Sequence, residues 1–224
     1  MRIWRVSQVM VCVAAALLLN LESVRGVVIS TFDTGAEGWT VLGDASSGTP
    51  TYVATGGNPG GHISADDTVA DGVWLWNAPA KFLGNQSNAV GESLSFDLRQ
   101  SASSSQFDSS DVIIISPTVT LRFDTALNPA TTWTSYTLPI TETAGWVAGP
   151  TLASPPATLA DITMAFSNIT SLQIRGEFRT GGDTGWLDNV ILVPEPASGA
   201  LLLLAAACPV LCFRHRRRNP AGER

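Results

Sequence analysis

The sequence predicts an all-β protein in which two sheets pack as a sandwich, with one short helix. Three observations predict this class. Short apolar runs recur between residues 27 and 193, and several alternate apolar with polar residues, the period of a strand with one buried face. The links between the runs are rich in Ser, Thr, Gly and Asp, which are common in turns. About ten short strands joined by such turns are typical of a β-sandwich.

Each predicted strand corresponds to one of these runs. The clearest is Ser93–Gln100, where Leu94, Phe96 and Leu98 alternate with polar residues. Val112–Ser116 is a continuous apolar run, which predicts a more deeply buried strand. In chain order, the remaining runs predict strands at Val27–Phe32, Trp39–Leu42, Thr51–Ala54, His62–Ala65, Val73–Asn77, Val119–Phe123, Thr134–Pro139, Leu172–Phe178 and Trp186–Val193.

One segment has helical spacing instead. Its apolar residues recur every three or four positions, at Leu159, Ile162, Phe166 and Ile169. Thr158 and Asp161, three residues apart at the start of this segment, fit a capping box, in which each side chain bonds the backbone of the other. The spacing predicts a single helix over residues 157–168.

The N-terminus has the layout of a secretory signal peptide. Arg2 and Arg5 precede the apolar run Val9–Leu19, and small residues near Gly26 can supply a cleavage site. A permanent anchor is the alternative, but the run has 11 residues, whereas roughly 20 are needed to span a bilayer. Residues 1–26 are therefore predicted to be a signal peptide that directs residues 27–193 out of the cytoplasm.

The C-terminus predicts a transmembrane helix. Residues 197–213 are apolar or small, and this length is near the lower limit for a spanning helix. A basic cluster follows at once and is expected to stay on the cytoplasmic side, with residues 219–224 as a short cytoplasmic tail. The cluster consists of Arg214, Arg216, Arg217 and Arg218.

Charge and residue usage exclude several functions for residues 27–193. This segment has five basic and sixteen acidic side chains, a net charge of −11, which repels nucleic acid. It contains no Cys, and His62 is its only histidine, so it lacks the ligands of a zinc site and offers one candidate base for a nucleophilic triad. Carboxylate pairs drawn from Glu92, Glu142 and Glu177 leave glycoside cleavage open as an alternative function.

The tail has a more specific pattern. Pro194, Glu195 and Pro196 precede the apolar helix, and the arginine cluster ends it. Together these parts, residues 194–218, resemble the PEP-CTERM sorting signal of Gram-negative bacteria. The resemblance implies passage through the export machinery, transient residence in the inner membrane and processing by an exosortase. Delivery to the cell surface or the extracellular matrix then follows.

The middle of the chain resembles a second family, the laminin B domain, also called laminin domain IV. The resemblance covers roughly residues 32–192 and is spread over many short matches. It implies a jelly-roll sandwich similar to galactose-binding and carbohydrate-binding modules, with a structural or adhesive role and no catalysis. The matching stretches are Gly57–Gly61, Ala78–Gly84, Leu94–Gln100, Ile174–Phe178 and Asp188–Val190.

The jelly-roll resemblance also implies a structural calcium ion where the first and last strands meet. Asp33 and Asp188 are the expected ligands, with Glu37 as a third. Calcium takes about six to eight oxygen ligands, many from the backbone, so carboxylates alone do not define such a site. The alternative is that Asp33 caps a turn and Asp188 lies on the surface.

A second acidic group, formed by Asp66, Asp67 and Asp71, falls between two predicted strands. Its spacing does not fit the calcium loop of an EF-hand, which has a Gly at its sixth position and a Glu at its twelfth. The sequence favours a solvated loop here.

Tryptophans are the candidate glycan-binding residues. Trp74 and Trp76 are two apart on one predicted strand, so they face the same side, and a flat indole face suits a sugar ring. The alternative places this pair in the sandwich core. Trp146 and Trp186 lie among Gly-rich turns and are further candidates.

The sequence therefore favours a non-enzymatic protein, exported to the cell surface or extracellular matrix, that binds exopolysaccharide or another glycan. Two alternatives stay open. One is a glycan-active hydrolase or lyase that uses carboxylates, and the other is a purely structural matrix subunit.

Overall fold

Alternation of inward apolar and outward polar side chains along the strands produces a sandwich of two antiparallel sheets. A computed structural model describes residues 26–67 and 72–194, and residues 26–194 form one compact unit. The predicted signal peptide, the apolar helix 197–213 and the arginine cluster lie outside the described residues. Among those described, no helix is both long enough and apolar enough to cross a membrane.

Within the described residues the chain forms twelve strands, one α-helix and two short 3-10 helices. The helix α1 spans Leu159–Ser167, and the 3-10 helices span Ala80–Phe82 and Ser87–Ala89. The strands are β1 (Val28–Ser30), β2 (Thr40–Leu42), β3 (Thr51–Val53), β4 (His62–Asp67), β5 (Leu75–Asn77), β6 (Ser93–Gln100), β7 (Val112–Ile115), β8 (Thr120–Phe123), β9 (Thr134–Pro139), β10 (Val147–Ala148), β11 (Ser171–Arg175) and β12 (Asp183–Leu192).

We call the two sheets front and back. The front sheet has the order β3-β4-β12-β6-β9, and β1 also pairs with β12. The back sheet has the order β10-β8-β7-β11-β5-β2. Strand β12 is central to the front sheet: β6 lies along one side of it, and β4 and then β1 lie along the other. Its pairing with β6 shifts register between Asp188 and Ile191, which bends the strand locally.

The core lies between the sheets. On β6, Leu94, Phe96 and Leu98 are each at most 1% exposed, as the alternation predicts. Aromatic rings fill much of the remaining space, and Trp39 makes edge-on contacts with Phe32 and Phe82. Burying one such side chain contributes roughly 1.5–3 kcal/mol, so the apolar core stabilises a domain that has no cysteine.

The helix prediction is confirmed in its position and its cap. Thr158 is the N-cap; its hydroxyl accepts from the Asp161 backbone N–H, and the Asp161 carboxylate accepts from the Thr158 backbone N–H. The apolar face of α1 buries Ile162 and Phe166. The local spacing was sufficient to predict this helix, because both the capping box and the amphipathic face are defined by residues a few positions apart.

Two local predictions are wrong, and one strand was not predicted. Asp66 and Asp67 do not lie in a loop but are the last residues of β4, and Asp67 is buried because it faces the same side as Ile63 and Ala65. The strand predicted to reach Phe178 ends at Arg175. Strand β10 was not predicted, since two residues are too few to show a period. Asp71 lies outside the described residues.

Candidate functional site

The outer face of the front sheet carries an array of aromatic and charged side chains. Ile63 on β4, Leu98 on β6 and Leu187 on β12 point into the core, so their chain neighbours point outward. Trp186 pairs with Arg99 on β6 and with Ser64 on β4. The strand pleat therefore places Trp186 and Arg99 side by side on the exposed face.

Arg99 lies between two indole rings. Its guanidinium carbon is 4.2 Å from the ring centre of Trp186 and 5.1 Å from that of Trp133, both within cation–π range. The Trp133 Nε1–H donates to the Gly56 carbonyl at 3.0 Å, which fixes the ring. All three platform side chains are partly exposed. We call Trp133, Arg99 and Trp186 the tryptophan–arginine platform.

His62 supports one end of the platform. Its ring meets Trp133 edge-on, with the ring centres 5.6 Å apart, and the residue is only 4% exposed. Burial and the Arg99 charge lower the pKa of His62, so the imidazole is neutral near pH 7. The platform therefore has two indole faces and one guanidinium beside a neutral ring, which suits stacking on sugar rings together with donation to hydroxyls.

A buried carboxylate network lies beside the platform on the same face of β12. Asp188 is 0% exposed, and its two oxygens accept from the backbone N–H groups of Asn58 at 2.6 Å and Asn189 at 2.7 Å. Asp97, its register partner on β6, accepts from the side-chain amides of the same two residues. Burial, the main cause, and the nearby Asp97 and Asp33 charges raise the pKa of Asp188 to about 6.

The three residues expected to bind calcium have different surroundings. The exposed Asp33 carboxylate accepts from the Thr31 hydroxyl at 2.8 Å and is near enough to Asp188 to influence its pKa. Glu37 instead forms an ion pair with Lys81 and accepts from the Phe32 backbone N–H. Although burial acts to raise it, the pKa of Glu37 is lowered by Lys81 and that N–H. Calcium at Asp33 and Asp188 stays a prediction.

Three of the four candidate tryptophans lie in the core. Trp74 and Trp76 are 0% exposed and Trp146 is 1% exposed, so none of them offers a face to a ligand. Trp74 and Trp76 do share one face, as their spacing predicts, but that face points into the sandwich. Trp186 is the candidate that lies at the surface. Trp133 was missed, because its place near Arg99 depends on the pairing of Thr134, where β9 begins, with Leu98 on β6.

Comparison with known proteins relates the chain to laminins. The family model described as laminin B (domain IV) matches residues 75–198. Laminin subunit gamma-1 of Xenopus tropicalis is 26% identical over 213 residues, which cover 87% of this chain and 13% of that protein. Laminin subunit gamma-2 of Equus caballus is 36% identical over 139 residues, covering 55% of this chain and 10% of that protein. The match thus covers only 13% or less of each relative.

Solved structures confirm the sandwich. The L4b domain of human laminin alpha-2 is similar with a TM-score of 0.56 at 12% identity, over 76% of this chain and 99% of that one. A family 11 carbohydrate-binding module of a cellulosomal cellulase of Clostridium thermocellum has a TM-score of 0.52 at 16% identity, over 77% and 96% of the two chains. At such identities these likenesses establish the fold alone.

Proposed function

The chain belongs to the laminin B (domain IV) family, and from this premise we propose that it is an exported, non-enzymatic protein of the cell surface or extracellular matrix that binds a glycan. The binding surface in this proposal is the tryptophan–arginine platform. The observation that carries it is the partly exposed stack of Trp133, Arg99 and Trp186 on the outer face of the front sheet.

The chemistry of this face favours a neutral polysaccharide. An indole ring stacks on the C–H face of a pyranose, and guanidinium N–H groups donate to its hydroxyls. One cation on a domain of net charge −11 does not suit a polyanion, because the surrounding acids repel it. Asp97 and Asp188 beside the platform add to this repulsion.

A non-catalytic role fits the arrangement of these two acids. Asp188 is fully buried and accepts from two backbone N–H groups, while Asp97 is held by two amide side chains. A glycosidase needs one carboxylic acid free to protonate the leaving oxygen and a second carboxylate facing the substrate. Carboxylates that are buried and engaged in this way instead hold the loop at Asn58 against β6 and β12.

Glycan-array binding by the purified protein tests the proposal. Wild type is expected to bind neutral polysaccharides, and Trp186→Ala or Trp133→Ala to weaken binding at least about tenfold, roughly 1.4 kcal/mol, because each removes one stacking face. Met164→Ala, on the exposed side of α1, is the matched control and should bind as wild type does. Absence of binding by wild type would favour a structural matrix subunit, whereas unchanged affinity in both tryptophan variants would place the binding surface outside the platform. Shortened glycan chains after incubation would favour a hydrolase or lyase.

The sorting route is a separate proposal that rests on the sequence of the tail. Pro194, Glu195 and Pro196, followed by the apolar segment and the arginine cluster, are proposed to be read by an exosortase after export. Replacing the three motif residues by alanine in the producing cell should leave the protein in the membrane fraction. Normal surface delivery of that variant would mean that the tail acts only as an anchor.

A further inference from the structure

Four acidic side chains from distant parts of the sequence meet at one end of the sandwich. Asp44 follows β2, Asp67 ends β4, Glu177 follows β11, and Asp183 begins β12. Carboxylate oxygens of Asp44, Asp67 and Glu177 lie within 4.8 Å of one another. Asp183 is the register partner of Asp67 on the neighbouring strand, so both side chains lie on the core side of the front sheet. We call these four residues the rim carboxylates.

Few donors face Asp44, Glu177 and Asp183. Glu177 and Asp183 are 1% and 5% exposed. The Trp74 backbone N–H donates to Glu177 at 3.3 Å, and the Trp74 indole N–H donates to Asp183 at 3.4 Å, with the Phe178 backbone N–H also acting on Asp183. Among the described residues, nothing donates to the second oxygen of Asp183 or to either oxygen of Asp44, and all three atoms are buried. Burying charged oxygens without donors is unfavourable. A ligand that accepts their electron pairs removes this cost.

The backbone leaves room for the Asp44 carboxylate. Gly72 lies against it with φ +119°, and a Cβ atom at Gly72 would stand 2.0 Å from Asp44 Oδ2. Only glycine therefore permits this approach. The carboxylate is held among other acids by the packing of the chain and not by a hydrogen bond of its own.

Burial and mutual repulsion both oppose the ionisation of these acids. Burial raises the pKa of Glu177 to about 7, with further contributions from Asp44, Asp183 and Asp67. Burial likewise raises the pKa of Asp183 to about 6, and the hydrogen bonds from Trp74 and Phe178, with a smaller contribution from Arg179, offset this only in part. Both shifts agree with the close approach of these carboxylates.

We propose that Asp44, Asp67 and Glu177 bind a calcium ion at this rim, with Asp183 as a fourth negative group beside it. All the atoms that would bind the ion are carboxylate oxygens, and oxygen ligands favour a hard cation such as calcium. The ligands come from three separate segments, and calcium accepts irregular sets of oxygen ligands more readily than magnesium does. The bound ion ties the segment after β2 to the ends of β4 and β11, and so links the two sheets.

This site is distinct from the one expected at Asp33 and Asp188. Those residues lie on the outer face near the junction of β1 and β12, whereas Asp67 and Asp183 face the core side of β4 and β12. The same experiment therefore distinguishes the two sites.

Calorimetric titration of the purified full-length protein with CaCl2, after removal of metal with EDTA, tests the site. Wild type should bind calcium and show a higher Tm when it is added. Asp44→Asn should weaken binding at least tenfold and abolish the calcium-dependent rise in Tm. This substitution keeps the shape and loses no hydrogen bond, so the variant is expected to fold, as circular dichroism will report.

Asp33→Asn is the matched control: it leaves the rim carboxylates unchanged and should keep the calcium binding that Asp44→Asn loses. Absence of calcium binding by wild type, or an unchanged affinity in Asp44→Asn, overturns the proposal. Loss of binding in Asp33→Asn together with normal binding in Asp44→Asn would place the ion at the junction of β1 and β12 instead. None of these outcomes depends on whether the platform binds a glycan.

Discussion

Metal-free protein should lose stability as the pH rises from about 5 to about 8, because Glu177 must lose its proton inside a cluster of acids. Its pKa is about 7 in the folded protein and near 4.5 for an ordinary glutamate. A raised folded-state pKa contributes stability that is fully present below the unfolded pKa and disappears as the pH rises through the folded one. The free energy of unfolding therefore falls mainly between pH 4.5 and 7. A carboxylate in a salt bridge has the opposite effect, because it stabilises the fold as the pH rises.

The size of this change in stability follows from the pKa change of Glu177 and from the burial of its side chain. Glu177 is 1% exposed, so solvent screens it little. A change from 4.5 to about 7 corresponds to at most roughly 3 kcal/mol of unfolding free energy. For a domain of this size about 1 kcal/mol moves Tm by roughly 2–4 °C, so we expect Tm to fall by about 6–12 °C over this range.

Differential scanning calorimetry in EDTA, at pH 5 and pH 8, measures the change. Glu177→Gln keeps the shape but cannot ionise, so its Tm should fall by less than that of wild type over this range. Saturating calcium at pH 8 should restore the wild-type Tm, because the ion takes the place of the proton. A flat wild-type profile, or the same slope in wild type and Glu177→Gln, would refute the reasoning.

Three further substitutions test the packing around these sites. Asp111 is buried and lies 3.2 Å from the Arg175 guanidinium, so Arg175→Met leaves this carboxylate without its cation. The free energy of unfolding, measured in urea, should fall by about 3–5 kcal/mol. A fall below about 1 kcal/mol would show that the ion pair is dispensable. Gly176→Ala would place a Cβ atom 1.8 Å from the Trp74 ring. This clash should lower the free energy of unfolding by at least about 3 kcal/mol, which would appear as poor expression or a much lower Tm. A wild-type Tm would mean that the ring can move aside. Thr158→Ala removes the N-cap and should cost about 1 kcal/mol by the same unfolding assay, whereas no change would assign the helix start to packing alone.

Local sequence patterns correctly predicted the features that depend on interactions between neighbouring residues. The bounds of β6 and β9 and the capping box of α1 follow from the sequence because alternation and capping operate between neighbouring residues. The resemblance to laminin domain IV rested on many short matches, and the family model confirms it. The PEP-CTERM tail stays a prediction, since most of it lies outside the described residues.

Patterns of period two fix which residues share a face but not which face is buried. Trp74 and Trp76 were grouped correctly, yet the sandwich turns them inward. Trp186 shows the converse, since β12 packs its other face on the core and leaves this ring beside Arg99. The partner sheet makes this choice, and no single strand contains that information.

The sequence by itself determined the β class, the single helix with its cap, the acidic charge and the lack of cysteine in residues 27–193. Tertiary structure alone decided which side chains meet. Asp44, Asp67 and Glu177 are separated by 23 and 110 positions along the chain, and the tryptophan–arginine platform draws on three segments. Their convergence depends on strand register and on which strands become neighbours, and both are set by long-range pairing that the local pattern does not encode.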